Sequence, residues 1–504
     1  MRRVTGRGLR VAVVAVVALV LLAACSGGGG GNAAKSQAST DTSNTDSTAS
    51  TDSNTVVVGK TTFGPDDDDA IIKKAVGVVQ SFYEDQFPKL YGGQFQPISG
   101  GLIPYGPSDP PPECGGTGLA NYKDVAQNAF YCPPNDFMAW DTDNLTNDLL
   151  DNFGPYTLAI VVAHELGHAI QARHGILDGR LITFVTEQQA DCFAGAFTQF
   201  VQAGGTDAFK VTPADLDNAI GGFLLIRDPV GTDTVNDVNA HGSAFQRINA
   251  FQDGLEGGME KCKTYEDLAI NFVPETFDSQ TDAANQGNLP FDEVEPLVIA
   301  NLEGFWTKAF DTISGGKDQW TTAKTNPFDP RDGVSCGDKN VKGDDAIGLA
   351  FYCAQDDTLN WDEAKLMPSV YKLGDLAESM IIANEYSERA QHLAGLDQGS
   401  LDARLQADCF SGVWVATTKT NEVNQSLPQD AQLQLSPGDL DEAVSSFLQQ
   451  SKANAQAPGK DTSGTAFQHL GAFRAGFFSA FNDGLVKGLQ TCLSSAPSDE
   501  ASSS

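Results

Sequence analysis

Between residues 129 and 468 the same short phrases recur in the same order. Ala129-Phe130-Tyr131-Cys132 returns as Ala350-Phe351-Tyr352-Cys353, and Trp140-Asp141 returns as Trp361-Asp362. Val161-Val162-Ala163 returns as Ile381-Ile382-Ala383, and Gln189-Ala190-Asp191-Cys192-Phe193 as Gln406-Ala407-Asp408-Cys409-Phe410. Ala244-Phe245-Gln246 returns as Ala466-Phe467-Gln468, and the offset stays between 217 and 222 residues throughout. A period this long means two tandem domains, because solenoid units repeat every ~20–50 residues. The expected boundaries are one domain over 56–275, a polar linker over 276–292, a second domain over 293–495 and a tail over 496–504.

The cysteines follow the repeat. Setting Cys25 aside, four fall in each half: Cys114, Cys132, Cys192 and Cys262, then Cys336, Cys353, Cys409 and Cys492. An even count in an exported chain reads as disulfides. Four cysteines allow three pairings; the expected one is Cys114–Cys132 with Cys192–Cys262, and Cys336–Cys353 with Cys409–Cys492. No CxxC occurs, which disfavours a structural zinc cluster.

Export is expected from the N-terminus. Arg2, Arg3, Arg7 and Arg10 precede an apolar run from Val11 to Ala24, which is too short to span a bilayer comfortably. The run ends Leu22-Ala23-Ala24-Cys25, which resembles the lipobox of bacterial lipoproteins. That resemblance implies a signal peptide over 1–24, lipid on Cys25, and a chain held on the extracytoplasmic face of the cell membrane. Residues 26–55 are nearly devoid of apolar side chains and read as a flexible tether. Among 504 residues, 66 acidic against 32 basic ones give a net charge of −34, which argues against nucleic acid as a partner.

Punctuation predicts the elements. Gly154-Pro155 opens a helix that Gly175 can close, and a second helix is expected from about Leu181 to Ala203. Thr212-Pro213-Ala214-Asp215 and Ser436-Pro437-Gly438-Asp439 are matching helix starts. Residues 67–90 read as an opening helix, with the Asp66–Asp69 run as helix-terminus charge. The two AFYC segments read as short strands.

His164-Glu165-Leu166-Gly167-His168 falls in the Gly154–Gly175 helix. Residues four apart share a helical face, so both imidazoles can reach one metal ion, and Glu165 is placed to act as general base. Glu187 on the next helix is the candidate third ligand, completing a two-His, one-Glu zinc set. Asp191, one turn further, can orient a ligand imidazole; the plainer reading makes these two a surface acid and a local cap. His241 is the candidate for stabilising an oxyanion, with a structural role as the alternative, and His174 is expected to face solvent.

VVAHELGH followed by EQQADCFAG resembles the gluzincin pattern, HExxH then ExxxD. More closely, with GGLIPYG, CGG, AFYCPPND and AHGSAFQR, the chain resembles the bacterial putative neutral zinc metallopeptidase family. The likeness covers 67–265 well and 293–495 in weaker form. It implies an α+β, mostly helical fold of two tandem homologous domains, each with a thermolysin-like two-helix core and a small sheet. It also implies that the AFYC strand borders the substrate cleft. The wording departs from the family at Leu166, Ala169 and Ile170, none of them a ligand position.

Aligned with the first half, the second reads Asn384 for His164, Glu385 for Glu165, Glu388 for His168, Arg404 for Glu187 and Ser463 for His241. Asp191 persists as Asp408. One zinc ion per chain is therefore expected, in the first half only, with the second a degenerate copy whose His392 and His469 are structural or surface residues. The expected function is a membrane-anchored zinc metallopeptidase acting on peptides or proteins. The alternative is a non-catalytic surface lipoprotein that uses the zinc-containing fold to bind peptides or a partner. Oligomeric state is left open.

Overall fold

Helix α1 (Asp68–Tyr91) opens the first half, followed by strands β1 (Gly101–Tyr105), β2 (Ala129–Cys132) and β3 (Phe137–Asp141). Then come α2 (Pro155–His174), α3 (Thr183–Gln202), α4 (Pro213–Leu225) and α5 (Ala244–Lys263), the last kinked at Gly258. The second half repeats the order as α6 (Phe291–Ser314), β4 (Lys324–Phe328), β5 (Ala350–Cys353), β6 (Thr358–Asp362), α7 (Asp375–Ala394), α8 (Leu401–Lys419), α9 (Asp439–Ala455), α10 (Ala466–Asp483) and α11 (Leu485–Ser494). This computed structural model describes residues 68–267, 279–455 and 464–494, together with 273, 276 and 277. The expected signal segment, Cys25, the tether, Asp66, Asp67 and the C-terminal tail lie outside the described residues. No described helix is long and apolar enough to cross a membrane. The chain is mostly helical with small mixed sheets.

Each half carries one three-stranded sheet of the same topology. β1 runs parallel and β2 antiparallel to the central β3, with Ala129 opposite Trp140. β4 and β5 flank β6 in the same way, with Ala350 opposite Trp361. β2 is therefore an edge strand. A short hairpin, Val334–Cys336 with Lys339–Val341, was not foreseen and belongs to the second half. The helix expected from Leu181 starts at Thr183, because Ile182 is still extended.

Residues α2 and α3 bury are mostly small or apolar, so both helices sit inside the fold rather than on it. Helices α3 and α5 cross at two glycines. A Cβ on Gly195 would come within 1.9 Å of the Phe251 carbonyl oxygen, and one on Gly254 within 1.8 Å of the Cys192 carbonyl oxygen. Gly412 and Gly476 make the same close approach between α8 and α10. Cys192–Cys262 ties α3 to α5 and Cys409–Cys492 ties α8 to α11, while Cys114–Cys132 and Cys336–Cys353 anchor the loops beside β2 and β5.

The halves pack about a pseudo-twofold relation. Phe245 meets Phe473, and their equivalents Phe467 and Phe251 meet each other. The helix N-termini are exchanged in the same sense. Asp441 on α9 accepts the first two N–H groups of α5, from Ala244 and Phe245. Its counterpart Asp217 on α4 accepts those of α10, from Ala466 and Phe467. Each helix satisfies its third N–H from within, through Ser243 or Thr465. Four N–H groups per helix start have no intrahelical acceptor, so each half completes a helix of the other. This is an isologous interface inside one chain.

Asp441→Ala removes a buried acceptor from Ala244, Phe245 and Arg227 Nη1. We expect a loss of about 2 kcal/mol in urea unfolding, and a similar loss for Asp217→Ala. A change below about 0.5 kcal/mol in both would show that the exchanged caps do not hold the halves together.

Candidate metal centre

The HELGH segment lies in the middle of α2, where Gly167 lets α3 come close. A Cβ at 167 would be 3.2 Å from the Ala190 Cα. That approach faces His164 and His168 with Glu187 across the gap. Glu187 Oε2 is 3.1 Å from His164 Nε2 and 3.3 Å from His168 Nε2. All three side chains are largely buried, and among the described residues they form a group whose donor atoms lie within 4.8 Å of one another.

The far nitrogens are occupied. His164 Nδ1 lies 2.7 Å from Asp191 Oδ1, and His168 Nδ1 lies 2.8 Å from Gln171 Oε1. A carboxylate oxygen only accepts, so His164 Nδ1 carries hydrogen and its Nε2 is left facing Glu187. Asp191 is itself clamped by Arg247, whose Nε and Nη2 donate to its two oxygens at 2.9 and 3.0 Å. Gln171 is fixed by donating to the Thr186 carbonyl and to Gln189 Oε1.

The electrostatics call for positive charge at the centre. Burial disfavours protonation of His164, but Asp191 and Glu187 outweigh it and push the imidazole up to about 10. His168 is likewise raised against the pull of burial, chiefly by Glu187. Burial opposes the ionised form of Glu187, yet the two imidazoles hold its carboxyl well below the usual range. Two imidazole nitrogens and one carboxylate oxygen converging on one point are a donor set suited to zinc, so the residues present fit such an ion.

Glu165 points from the same turn of α2 toward the sheet. Its Oε2 accepts from the Tyr131 backbone N–H on edge strand β2 at 2.9 Å. Burial raises its carboxyl above the ordinary value. Two cavities meet at His164, Glu165 and His241. One, of about 580 Å³, is walled by Ile160, Val161, Phe223 and Leu225; the other, of about 350 Å³, runs along Asn128 to Tyr131.

His241 sits in the loop before α5. Its own N–H and that of Gly242 both donate to Asp228 Oδ2 at 2.7 Å, which fixes the loop. The ring is 37 % exposed, with Nδ1 3.5 Å from Asp228 Oδ1 and Nε2 3.7 Å from Glu187 Oε2. It therefore faces the cleft rather than the core. His174 does not simply face solvent: it stacks on Tyr91 at 3.9 Å between ring centroids and lies 3.3 Å from Glu266 Oε2. Its partners come from segments far away in sequence, which periodicity within α2 does not report. Gln171, Asp228 and Arg247 were not anticipated. Gln171 could have been, since Gln391 recurs in the second half with the same two contacts.

In the second half the scaffold persists around different side chains. Asn384 donates to Asp408, and His469 takes the place of Arg247 against the same carboxylate. Glu388 is half-buried within the field of Arg404, and Glu385 is buried, its carboxyl pushed up by burial and by Glu388.

Metal and protons compete for the same nitrogens. Zinc binding to the metal-free chain is expected to release protons, and its affinity to fall as pH drops from about 8 to about 6. Asp191→Asn should weaken binding roughly 10- to 100-fold. Calorimetric titration in buffers of different ionisation enthalpy checks both; a pH-independent affinity, or a variant matching wild type, would contradict this reading of the cluster.

Comparison with known proteins places the chain. The putative neutral zinc metallopeptidase family matches residues 114–265 and 271–483, well over half of the chain. The Escherichia coli K12 protein YpfJ is 28 % identical over 209 residues, which is 36 % of this chain and 66 % of YpfJ. Mycobacterium bovis Mb2605 and Mycobacterium tuberculosis Rv2575 are each 30 % identical over 159 residues, 27 % of this chain and 54 % of theirs. All three are named only as uncharacterised proteins, and the chain spans less than two thirds of the length of each. No solved structure gives a match. Both halves thus fall under a single description, and the chain belongs to the putative neutral zinc metallopeptidase family.

Proposed function

We propose that the chain is a zinc-dependent peptidase whose first half carries the active site and whose second half is a degenerate copy that braces it. The observation that carries this reading is the convergence of His164, His168 and Glu187 with Glu165 on the same turn, open to a cleft. His164, His168 and Glu187 are assigned as ligands, with Asp191 orienting His164. Zinc bound there would supply Lewis-acid polarisation of the scissile carbonyl and acidification of the attacking water. Glu165 takes the proton from that water and returns it to the leaving amine.

β2 is an edge strand, and apart from the Tyr131 N–H held by Glu165 its outer edge offers backbone groups to an extended peptide, which would lie along the strand as an added partner. The apolar cavity takes a bulky side chain of that peptide. His241 donates to the oxyanion, held in place by Asp228. Arg404 and Asn384 in place of ligands support the view that the second half holds no zinc. What the second half contributes is Asp441, which caps α5, the helix that delivers Arg247 to Asp191. Lipid on Cys25 would anchor the enzyme to the extracytoplasmic face of the membrane, a reading that rests on the sequence.

Glu165→Gln should retain one zinc per chain and lower kcat for peptide hydrolysis by about 10³-fold. His241→Ala should lower kcat roughly 10²-fold with little change in KM. Both are read by peptide cleavage alongside metal analysis. Zinc retained in a wild-type chain that cleaves no peptide library would favour the non-catalytic peptide binder instead.

A further inference from the structure

A second group of donor atoms, sharing no residue with the zinc ligands, lies where the connector over residues 279–289 meets the second half. Asp375 opens α7, while Asp439 and Glu442 stand on the first turn of α9. One oxygen from each lies within 4.8 Å of the other two. Their exposures are 6, 3 and 8 %, so three carboxylates share one buried spot. Each spends an oxygen on a backbone N–H: Asp375 on Leu289 at 2.7 Å, Asp439 on Ser436 at 2.7 Å and Glu442 on Leu376 at 2.9 Å. Asp439 Oδ1 is left buried among these acids with no hydrogen-bond partner.

Burying three acids without compensation is costly. Asp375 and Glu442 lie within hydrogen-bond reach of each other, a contact that two carboxyls make around a shared proton or a shared cation. Of the side-chain cations nearby, Arg227 bridges to Asp441 and Lys419 donates to the Leu435 carbonyl, while Lys372 stands in the wall of the cavity that reaches Glu442. Asp282 and Asp441 add further negative charge. A cavity of about 360 Å³, lined by Asn285, Gln286, Asn288, Tyr371 and Gly374, leads from solvent to Glu442.

Among the described residues the first half has no such group of carboxylates. The positions matching Asp375 and Glu442 are Pro155 and Asn218, and Asp215, matching Asp439, closes a capping box with Thr212. The three acids occur together only where the connector comes down. The connector donates there through Leu289 N–H and also bonds Ser436 Oγ through Asp282.

We propose that Asp375, Asp439 and Glu442 bind a calcium ion that clips the 279–289 connector to the second half. The donors are all oxygens, which selects a hard cation over zinc. Calcium tolerates an irregular shell completed by amide oxygens and water, whereas magnesium requires a near-ideal octahedron.

The test is calorimetric titration of the zinc-loaded chain with calcium chloride and separately with magnesium chloride. One saturable calcium site is expected, with Kd between about 10⁻⁵ and 10⁻³ M and magnesium at least roughly tenfold weaker. Asp439→Asn and Glu442→Gln should each weaken calcium binding about tenfold or more, and Asp215→Asn should leave it unchanged. Limited proteolysis of the wild type should show the connector cut more slowly in calcium, a readout independent of any variant. No saturable site, magnesium binding as tight as calcium, binding that both variants leave intact, or connector cleavage indifferent to calcium would each overturn the proposal. Zinc content, measured alongside, separates this outcome from failure of the peptidase site.

Discussion

The carboxylate of Asp191 is the joint on which the site is built. It receives His164 from α2 on one side and the guanidinium of Arg247 from α5 on the other, and it stands on α3. Three helices are thus fixed through one fully buried group. A buried carboxylate is costly unless it is paired and hydrogen-bonded, and here a bidentate arginine and an imidazole supply three hydrogen bonds. The result is a histidine whose rotation is set before any ligand arrives. The second half keeps the joint with other materials: Asp408 is held by Asn384 and His469. The arrangement therefore outlives the ligand set and is a property of the fold that the metal site uses.

Duplication supplies the other constraint. Because Asp441 and Asp217 each finish a helix in the opposite half, neither half presents a complete set of satisfied backbone groups alone. Phe245 and Phe251 complete the exchange by packing against Phe473 and Phe467. This explains how a half with Arg404 and Asn384 where ligands would stand is still kept by the molecule. Asp441 of that half bonds the first turn of α5, the helix that carries Arg247 to Asp191.

Much of this was legible in the sequence because it is local. A repeat shows itself by recurrence, HExxH by i to i+4 spacing, and helix starts by Pro after a capping residue. The doubled cysteine positions left three pairings open in each half, and the bonds formed are the expected ones. What stayed hidden depends on partners far along the chain. Arg247 is one arginine in an ordinary helix until Asp191 is brought to it across 56 residues. Asp217 and Asp441 look like surface acids near a helix start, and only the pseudo-twofold packing turns them into caps for another helix. His174 looked solvent-facing because Tyr91 and Glu266 are distant in sequence. In the first half the hairpin is reduced to a single antiparallel bridge, Pro112 opposite Leu119, too little for the repeat to report.

The central claim is that one metal ion sits between two imidazoles and a carboxylate of the first half. Anomalous diffraction at the zinc edge from crystals of the whole chain addresses it without reference to activity. The account predicts a single zinc peak per chain, at about 2.0–2.2 Å from His164 Nε2, His168 Nε2 and a Glu187 oxygen. A peak beside Asn384 and Glu388, or none between the two histidines, would contradict it.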